Sequence, residues 1–130
     1  MDPNVIAEAI DQGLTFLPQK ALENKELAWN AHVTFKGVWL KHFIKGENTD
    51  QQFSYHLVKV AAGCEIGEHV HEINCELHTV IAGAGRSFLD ETAIDYYPGI
   101  VAVIPKGLKH RVIAGDADLY LLATFIPALL

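Results

Sequence analysis

The sequence is poor in cysteine and in basic residues. Only Cys64 and Cys75 occur among 130 residues, which is too few for a disulfide framework, and a chain of this size can bury a sufficient core without disulfides. We therefore expect two reduced thiols. Lys and Arg together number 10 against 16 Asp and Glu, so the formal net charge is −6 with neutral histidines. Because an acidic surface repels phosphate backbones, nucleic acid is not an expected partner.

Long apolar runs are also missing. No stretch approaches the roughly 20 apolar residues that span a bilayer, and the start Met1-Asp2-Pro3-Asn4 lacks the basic residues of a signal peptide. These absences predict a soluble, cytoplasmic protein with no membrane partner. Hydrophobic residues make up 50% of the chain and charged residues 20%, the proportions of a globular protein, and the length suits a single domain. Disordered, collagen-like and low-complexity classes are excluded.

The first 32 residues differ from the rest of the chain in the spacing of their apolar residues. After Asp2-Pro3, apolar residues at helical spacing predict a short helix that Gly13 ends, and these residues are Val5, Ile6, Ala9 and Ile10. Residues 14–32 show no regular hydrophobic period, so we expect an extended segment with irregular turns. Residues 1–32 are therefore predicted to form an N-terminal helix and an arm that wraps around the remainder.

From residue 33 onward the chain consists of short β-rich runs divided by turn residues. This alternation of short runs and turns predicts an all-β domain, either a barrel or a sandwich, over residues 33–130. The polar segment 45–50 predicts a hairpin turn between the first two runs. The predicted strands are Val33 to Ile44, Phe53 to Ala61, Glu76 to Ala82, Arg86 to Leu89, Ile100 to Ile104, His110 to Ala114 and Leu119 to Ile126.

Four side chains of the kinds that bind metal ions occur in the second half of the chain. His69 and His71 are two residues apart, so on an extended segment both rings face the same way. Glu76 follows a short connection, where a hairpin would bring its carboxylate beside the rings. His110 follows a turn that can direct its ring back inside. Imidazoles with one carboxylate suit iron, manganese, nickel, copper, cobalt or zinc, and the pattern leaves the choice of divalent ion open.

These residues belong to two longer patterns. Gly63-x5-His69-x-His71-x4-Glu76-x6-Gly83 and Gly99-x5-Pro105-x-Gly107-x2-His110 resemble the two motifs of the cupin superfamily, in particular its small single-domain members. The Asn that closes the second motif is replaced by Ala114, which lies beyond the ligands. The resemblance implies an antiparallel jelly-roll barrel that holds one divalent transition metal ion inside through His69, His71, Glu76 and His110.

Other histidines surround the predicted site. His78 lies two residues after Glu76, so strand alternation places it on the same face, and it is either a proton-transfer (catalytic) group or a packing residue. His56 can face the mouth of the barrel, although a packing role is the more common fate. His32 and His42 have no other candidate ligand at a spacing typical of a metal site, and we assign them no role. Cys75 points away from the metal because it adjoins Glu76.

Two classes of function fit the sequence. An enzyme would use the ion to assist dioxygenation, decarboxylation or isomerisation of a small molecule rich in hydroxyl, carboxylate or diol oxygens. A binding or sensing protein would hold such a molecule without turning it over. The expected partners are this small-molecule ligand and a second copy of the chain, because the arm and the aromatic-rich segment 33–53 carry apolar surface that a small barrel leaves uncovered.

Overall fold

The computed structural model describes residues 3–130 as one helix and twelve strands. Helix α1 spans Pro3–Asp11, and 3-10 turns lie at Asn24–Glu26 and Gly46–Asn48. The strands are β1 Leu14–Leu17, β2 Lys20–Glu23, β3 Asn30–Ala31, β4 Val38–Ile44, β5 Ser54–Val60, β6 Glu65–His69, β7 Cys75–Ala82, β8 Gly85–Leu89, β9 Thr92–Tyr96, β10 Val101–Ile104, β11 His110–Ala114 and β12 Leu119–Ile126. Neither this helix nor any other described segment forms a helix long and apolar enough to cross a membrane.

The main strands form two facing antiparallel sheets. One has six strands in the order β10-β7-β12-β5-β4-β3, and the other has four in the order β6-β11-β8-β9. Strands β1 and β2 form a separate hairpin. Several neighbouring strands, such as β12 with β5 and β6 with β11, are distant in sequence, as in a jelly roll, where the chain passes repeatedly from one sheet to the other. The prediction of an all-β jelly roll with a short N-terminal helix is confirmed.

The core lies between the two sheets. Its buried side chains come from the inner faces of both, for example Val58, Leu121 and Phe125 from the large sheet and Val112 from the small one. Alternation along β12, in which every second residue is buried, follows from the period of two in a strand. Three of the four predicted metal ligands lie on β6, β7 and β11, and His71 lies just beyond the end of β6.

A second, smaller core lies on the outer face of the six-stranded sheet. Helix α1 packs there through Ala7 against Leu57 and Ile81, so the central strands are buried on both faces. Lys41 reaches from this face to the carboxylate of Asp11 and to the backbone oxygen of Asn24, and only 3% of its side chain is exposed. Because removal of one partner would leave a buried charge, this ion pair fixes the helix to the sheet.

Part of the N-terminal segment differs from its prediction. Residues 14–23 form the β1–β2 hairpin, and β3 joins the six-stranded sheet through pairing with β4. The predicted strand from residue 33 begins only at Val38, because residues 32–37 turn the chain and Gly37 has φ = +80°. The hairpin escaped prediction since both of its faces are largely exposed, and such strands show no apolar alternation. The boundary at residue 32 stays an interpretation.

Candidate metal centre

The fold brings the four predicted ligands together. His69 ends β6 and His110 begins β11, and these two residues are paired across the small sheet. His71 follows in the turn after β6, and Glu76 is the second residue of β7 on the opposite sheet. One ligand atom from each of the four lies within 4.8 Å of the others. The two motifs therefore meet at one point between the sheets.

Backbone carbonyls fix the orientation of two of the rings. His69 Nδ1 lies 2.7 Å from the oxygen of Gly67, and His110 Nδ1 lies 2.9 Å from the oxygen of Leu108. A carbonyl oxygen only accepts, so each Nδ1 carries the proton and donates it. In the neutral ring Nε2 then presents its lone pair, the form that binds a metal. The Gly107 N–H donates to the oxygen of His71 at 2.8 Å, which ties the two ligand segments together.

The centre contains two polar atoms without a hydrogen-bond partner. Glu76 Oε1 and His110 Nε2 are both buried, and neither forms a hydrogen bond within residues 3–130. They lie 3.2 Å apart in an orientation that makes no hydrogen bond between them. A buried polar group left unsatisfied costs about 1–3 kcal/mol. A cation between the two atoms would satisfy both, so the residues present fit a bound metal ion.

The electrostatics favour an ionised carboxylate. Burial alone would raise the pKa of Glu76, but the facing rings of His78 and His110 hold this pKa well below its ordinary value. Burial would lower the pKa of His110, yet the nearby Glu76 carboxylate and the hydrogen bond to the Leu108 carbonyl leave it raised. Burial lowers the pKa values of His69 and His71. Two rings are thus neutral at pH 7 and ready to act as ligands.

The second oxygen of Glu76 is held by the protein. His78 Nε2 lies 2.7 Å from Glu76 Oε2, and His78 Nδ1 lies 2.9 Å from the hydroxyl of Tyr96. Since the carboxylate accepts, Nε2 donates to it, and Nδ1 shares a hydrogen bond with the Tyr96 hydroxyl. His78 therefore lies in the cavity as strand alternation predicts, with both nitrogens engaged in orienting Glu76. Its role in proton transfer stays a prediction.

The four candidate ligands line a small, mostly apolar cavity. The volume of this cavity is about 60 Å³. Seven apolar side chains contribute to the wall, including Val58, Ile66, Phe125 and Leu129. No lysine or arginine of the described chain lies among the lining residues. The cavity therefore offers a bound ion in apolar surroundings.

His32 also lines this cavity, which the sequence analysis did not predict. His32 lies in the segment between β3 and β4. Its ring packs against the ring of Phe35, with 4.8 Å between the centroids, and the Phe35 ring lies 5.8 Å from the ring of His69. Gly67 makes room for Phe35, because a Cβ there would lie 2.8 Å from the Phe35 ring. No local spacing could reveal this contact, since it joins segments more than 30 residues apart.

The remaining histidines and the cysteines lie outside the ligand group. His56 is fully buried, and its Nδ1 lies 2.8 Å from His42 Nδ1 while its Nε2 lies 2.8 Å from Ser54 Oγ. Burial and the neighbouring His42 lower the pKa of His56 to about 4. Cys64 and Cys75 are free thiols, and neither belongs to the group of ligand atoms.

Comparison with known families agrees with this geometry. Residues 56–125, more than half of the chain, match the family model described as the cupin domain. The chain belongs to the cupin family. The matched segment contains all four candidate ligands of this cupin, together with His56 and His78. No curated protein sequence matches the chain.

Solved structures share the fold of this cupin at low sequence identity. A predicted oxalate decarboxylase from Thermotoga maritima has a TM-score of 0.73 and 22% identity over 79% of this chain and 95% of its own. KdgF from a Halomonas species has a TM-score of 0.70 and 24% identity over 80% and 91%. The polyketide cyclase RemF from Streptomyces resistomycificus has a TM-score of 0.72 and 18% identity over 82% and 78%. At these identities the similarity establishes the fold alone.

Proposed function

We propose that this cupin binds one divalent transition metal ion through His69, His71, Glu76 and His110 and acts as an enzyme on a small oxygen-rich molecule. The observation that carries the proposal is the pair of buried, unsatisfied atoms, Glu76 Oε1 and His110 Nε2, at the centre of a cluster of ligand atoms. A structural site for zinc would need no adjoining cavity. This centre has one, which supports a role in ligand binding.

The four protein donors leave room for chemistry at the ion. They would complete a tetrahedral zinc site, but they leave an octahedral iron, manganese or nickel ion two ligands short. A bound ion of that kind supplies Lewis acidity or redox chemistry for dioxygenation, decarboxylation or isomerisation. The chain's own residues do the rest: Tyr96 and His78 orient the Glu76 carboxylate, and the apolar wall excludes bulk water. Three neutral imidazoles and one carboxylate leave a charge near +1 with a divalent ion, which favours anionic chelators.

A non-catalytic binding or sensing role is the second candidate. It is favoured by the engagement of His78, whose two ring nitrogens already bond to Glu76 and Tyr96. A general acid or base must reach the ligand directly or through one water. If His78 remains engaged when a ligand is bound, the site holds its ligand without transferring a proton through this residue.

We also propose a cytoplasmic homodimer with no nucleic-acid or membrane partner. Apolar side chains remain exposed at several places, among them Val33 at 100% and Val101 at 61%. The acidic net charge of −6 opposes binding to phosphate backbones. Light scattering at micromolar concentration tests the dimer, and a monomeric mass would contradict it.

The experiment that tests the function starts from metal analysis of the purified protein. Iron-, manganese- and nickel-loaded forms are then screened with hydroxy acids, dicarboxylates and diols for shifts in melting temperature and for oxygen consumption, decarboxylation or isomerisation. A ligand-dependent shift with turnover supports the enzyme. A shift without turnover supports the binding protein, and no shift with any metal form contradicts both.

A further inference from the structure

The cavity contains one polar side chain that the metal centre does not use. Besides the four ligands, its polar lining residues are His78 and His32. Both ring nitrogens of His78 are bonded to other side chains. His32 is partly exposed, which places it where the cavity meets solvent. A ligand bound at the ion can therefore meet His32.

The backbone determines which nitrogen of His32 is available. Its Nδ1 lies 3.0 Å from the backbone nitrogen of Thr34 and 3.2 Å from that of Phe35, and it accepts from both N–H groups. An Nδ1 that accepts carries no proton, so the neutral ring carries its proton on Nε2. Burial lowers the pKa of His32, which keeps the ring neutral at pH 7. His32 thus presents a single N–H donor.

Packing holds this donor in place. The backbone N–H of His32 donates to the oxygen of Val38 at 2.8 Å, so the residue closes the turn that leads into β4. The ring packs on Phe35, which packs in turn toward the metal ligand His69. A side chain fixed by a backbone turn and an aromatic contact loses little freedom when it binds a ligand.

We propose that His32 is a ligand-recognition residue, whose Nε2–H donates one hydrogen bond to the hydroxy-carboxylate end of a small chelator with an otherwise apolar body. The inference rests on the proposed function, because the chelating end of such a ligand binds the metal ion. The chemical class of the ligand is narrowed further by the apolar wall and by the lack of a lysine or arginine among the described lining residues. A second carboxylate would be desolvated there without a cationic partner, which is unfavourable.

A matched pair of hydroxy acids tests the ligand class. 2-Hydroxybutyrate and malate share the chelating hydroxy-carboxylate group and four carbons, but malate carries a carboxylate where the other has a methyl group. Titration of cobalt(II)-loaded protein, followed by its visible spectrum, measures both dissociation constants. We expect 2-hydroxybutyrate to bind at least about tenfold more tightly than malate. Equal or tighter binding of malate would overturn the ligand class.

Two substitutions test His32 itself. In His32→Asn the amide oxygen can replace Nδ1 as acceptor for the turn, but no donor reaches the position of Nε2. In His32→Gln a donor reaches that position, while the acceptor for the turn is lost. We expect His32→Asn to weaken 2-hydroxybutyrate binding about five- to tenfold with unchanged metal content and melting temperature, and His32→Gln to retain most of the affinity. Unchanged affinity in His32→Asn would overturn the assignment.

The outcomes separate this inference from the function on which it rests. If the protein binds no cobalt, or if neither hydroxy acid changes the cobalt spectrum, the proposed function fails and the inference fails with it. If both acids change the spectrum but His32→Asn binds them as the natural chain does, the metal-dependent binding stands and only the role of His32 is wrong. A loss of affinity in His32→Gln as large as that in His32→Asn would show that the residue acts through the turn, and it would overturn the role of Nε2.

Discussion

Two clusters of histidines lie within the jelly roll, and they differ in how their nitrogen atoms are used. In the cluster of His42 and His56, both nitrogens of the buried His56 have partners, and Ser54 Oγ also accepts the N–H of Leu129. In the candidate metal centre, by contrast, Glu76 Oε1 and His110 Nε2 face each other without a partner. The first cluster satisfies its own polar groups, as a structural cluster does, whereas the unsatisfied atoms of the second make it the candidate site for a ligand.

The largest expected effect is the loss of metal after removal of a ligand. Glu76→Ala and His110→Ala should lower occupancy from about one ion per chain to less than about a tenth. His56→Gln is the matched control, because it alters a buried histidine of the other cluster and should leave the metal in place. Elemental analysis after gel filtration measures all three proteins. Full occupancy in either ligand variant would remove the distinction between the clusters.

The second largest expected effect is the loss of the metal ion at acid pH. Protons compete with the ion for imidazole, and the raised pKa of His110 means that this ring takes up a proton at a higher pH than an ordinary histidine. Occupancy should therefore fall as the pH drops below about 6. Metal analysis after equilibration between pH 8 and pH 4 gives the curve. Occupancy that is unchanged at pH 4 would argue against histidine ligands.

A smaller loss of affinity is expected from His78→Gln. The substitution weakens the hydrogen bond that orients Glu76 Oε2 but retains all four ligands, so the metal dissociation constant should rise about 10- to 100-fold without complete loss of the ion. Tyr96→Phe should act in the same direction and more weakly, because it removes the contact to His78 Nδ1 but no contact to the carboxylate itself. Competition with a chromophoric chelator measures both constants. An unchanged constant in His78→Gln would show that the carboxylate needs no support.

The cluster of His42 and His56 should make the free energy of unfolding depend on pH. The pKa of His56 is lowered to about 4 in the folded protein, while the unfolded chain has the ordinary value near 6.5. Between these values the unfolded state binds more protons, so stability falls as the pH drops from about 6.5 to 4, by on the order of 3 kcal/mol. His56→Gln should flatten this part of the curve, measured by urea denaturation of metal-free protein. If stability depends on pH in the same way in the natural chain and in His56→Gln, the assignment of a neutral, buried His56 ring is contradicted.

The comparison also shows what the sequence can and cannot predict. The four ligands follow from short spacings and from turns within each motif, and His78 follows from strand alternation after Glu76. The pairing of His42 with His56 depends on the register of β4 against β5, and the place of His32 depends on how a turn packs over β6. Such contacts are set by tertiary structure, so local pattern could not reveal them. The β1–β2 hairpin appeared in the sequence as an irregular arm for a different reason, because strands that are largely exposed on both faces show no apolar alternation.

The central claim is that an ion joins the two unsatisfied atoms, and X-ray absorption spectroscopy of the protein as purified tests it most directly. The account predicts a transition metal at near one per chain, with nitrogen and oxygen neighbours and the scattering signature of about three imidazoles. Glu76→Ala should lose this signal, and His56→Gln should keep it. Sulfur in the coordination shell, or protein that takes up no ion when offered iron, manganese, nickel, cobalt or zinc, would contradict the account.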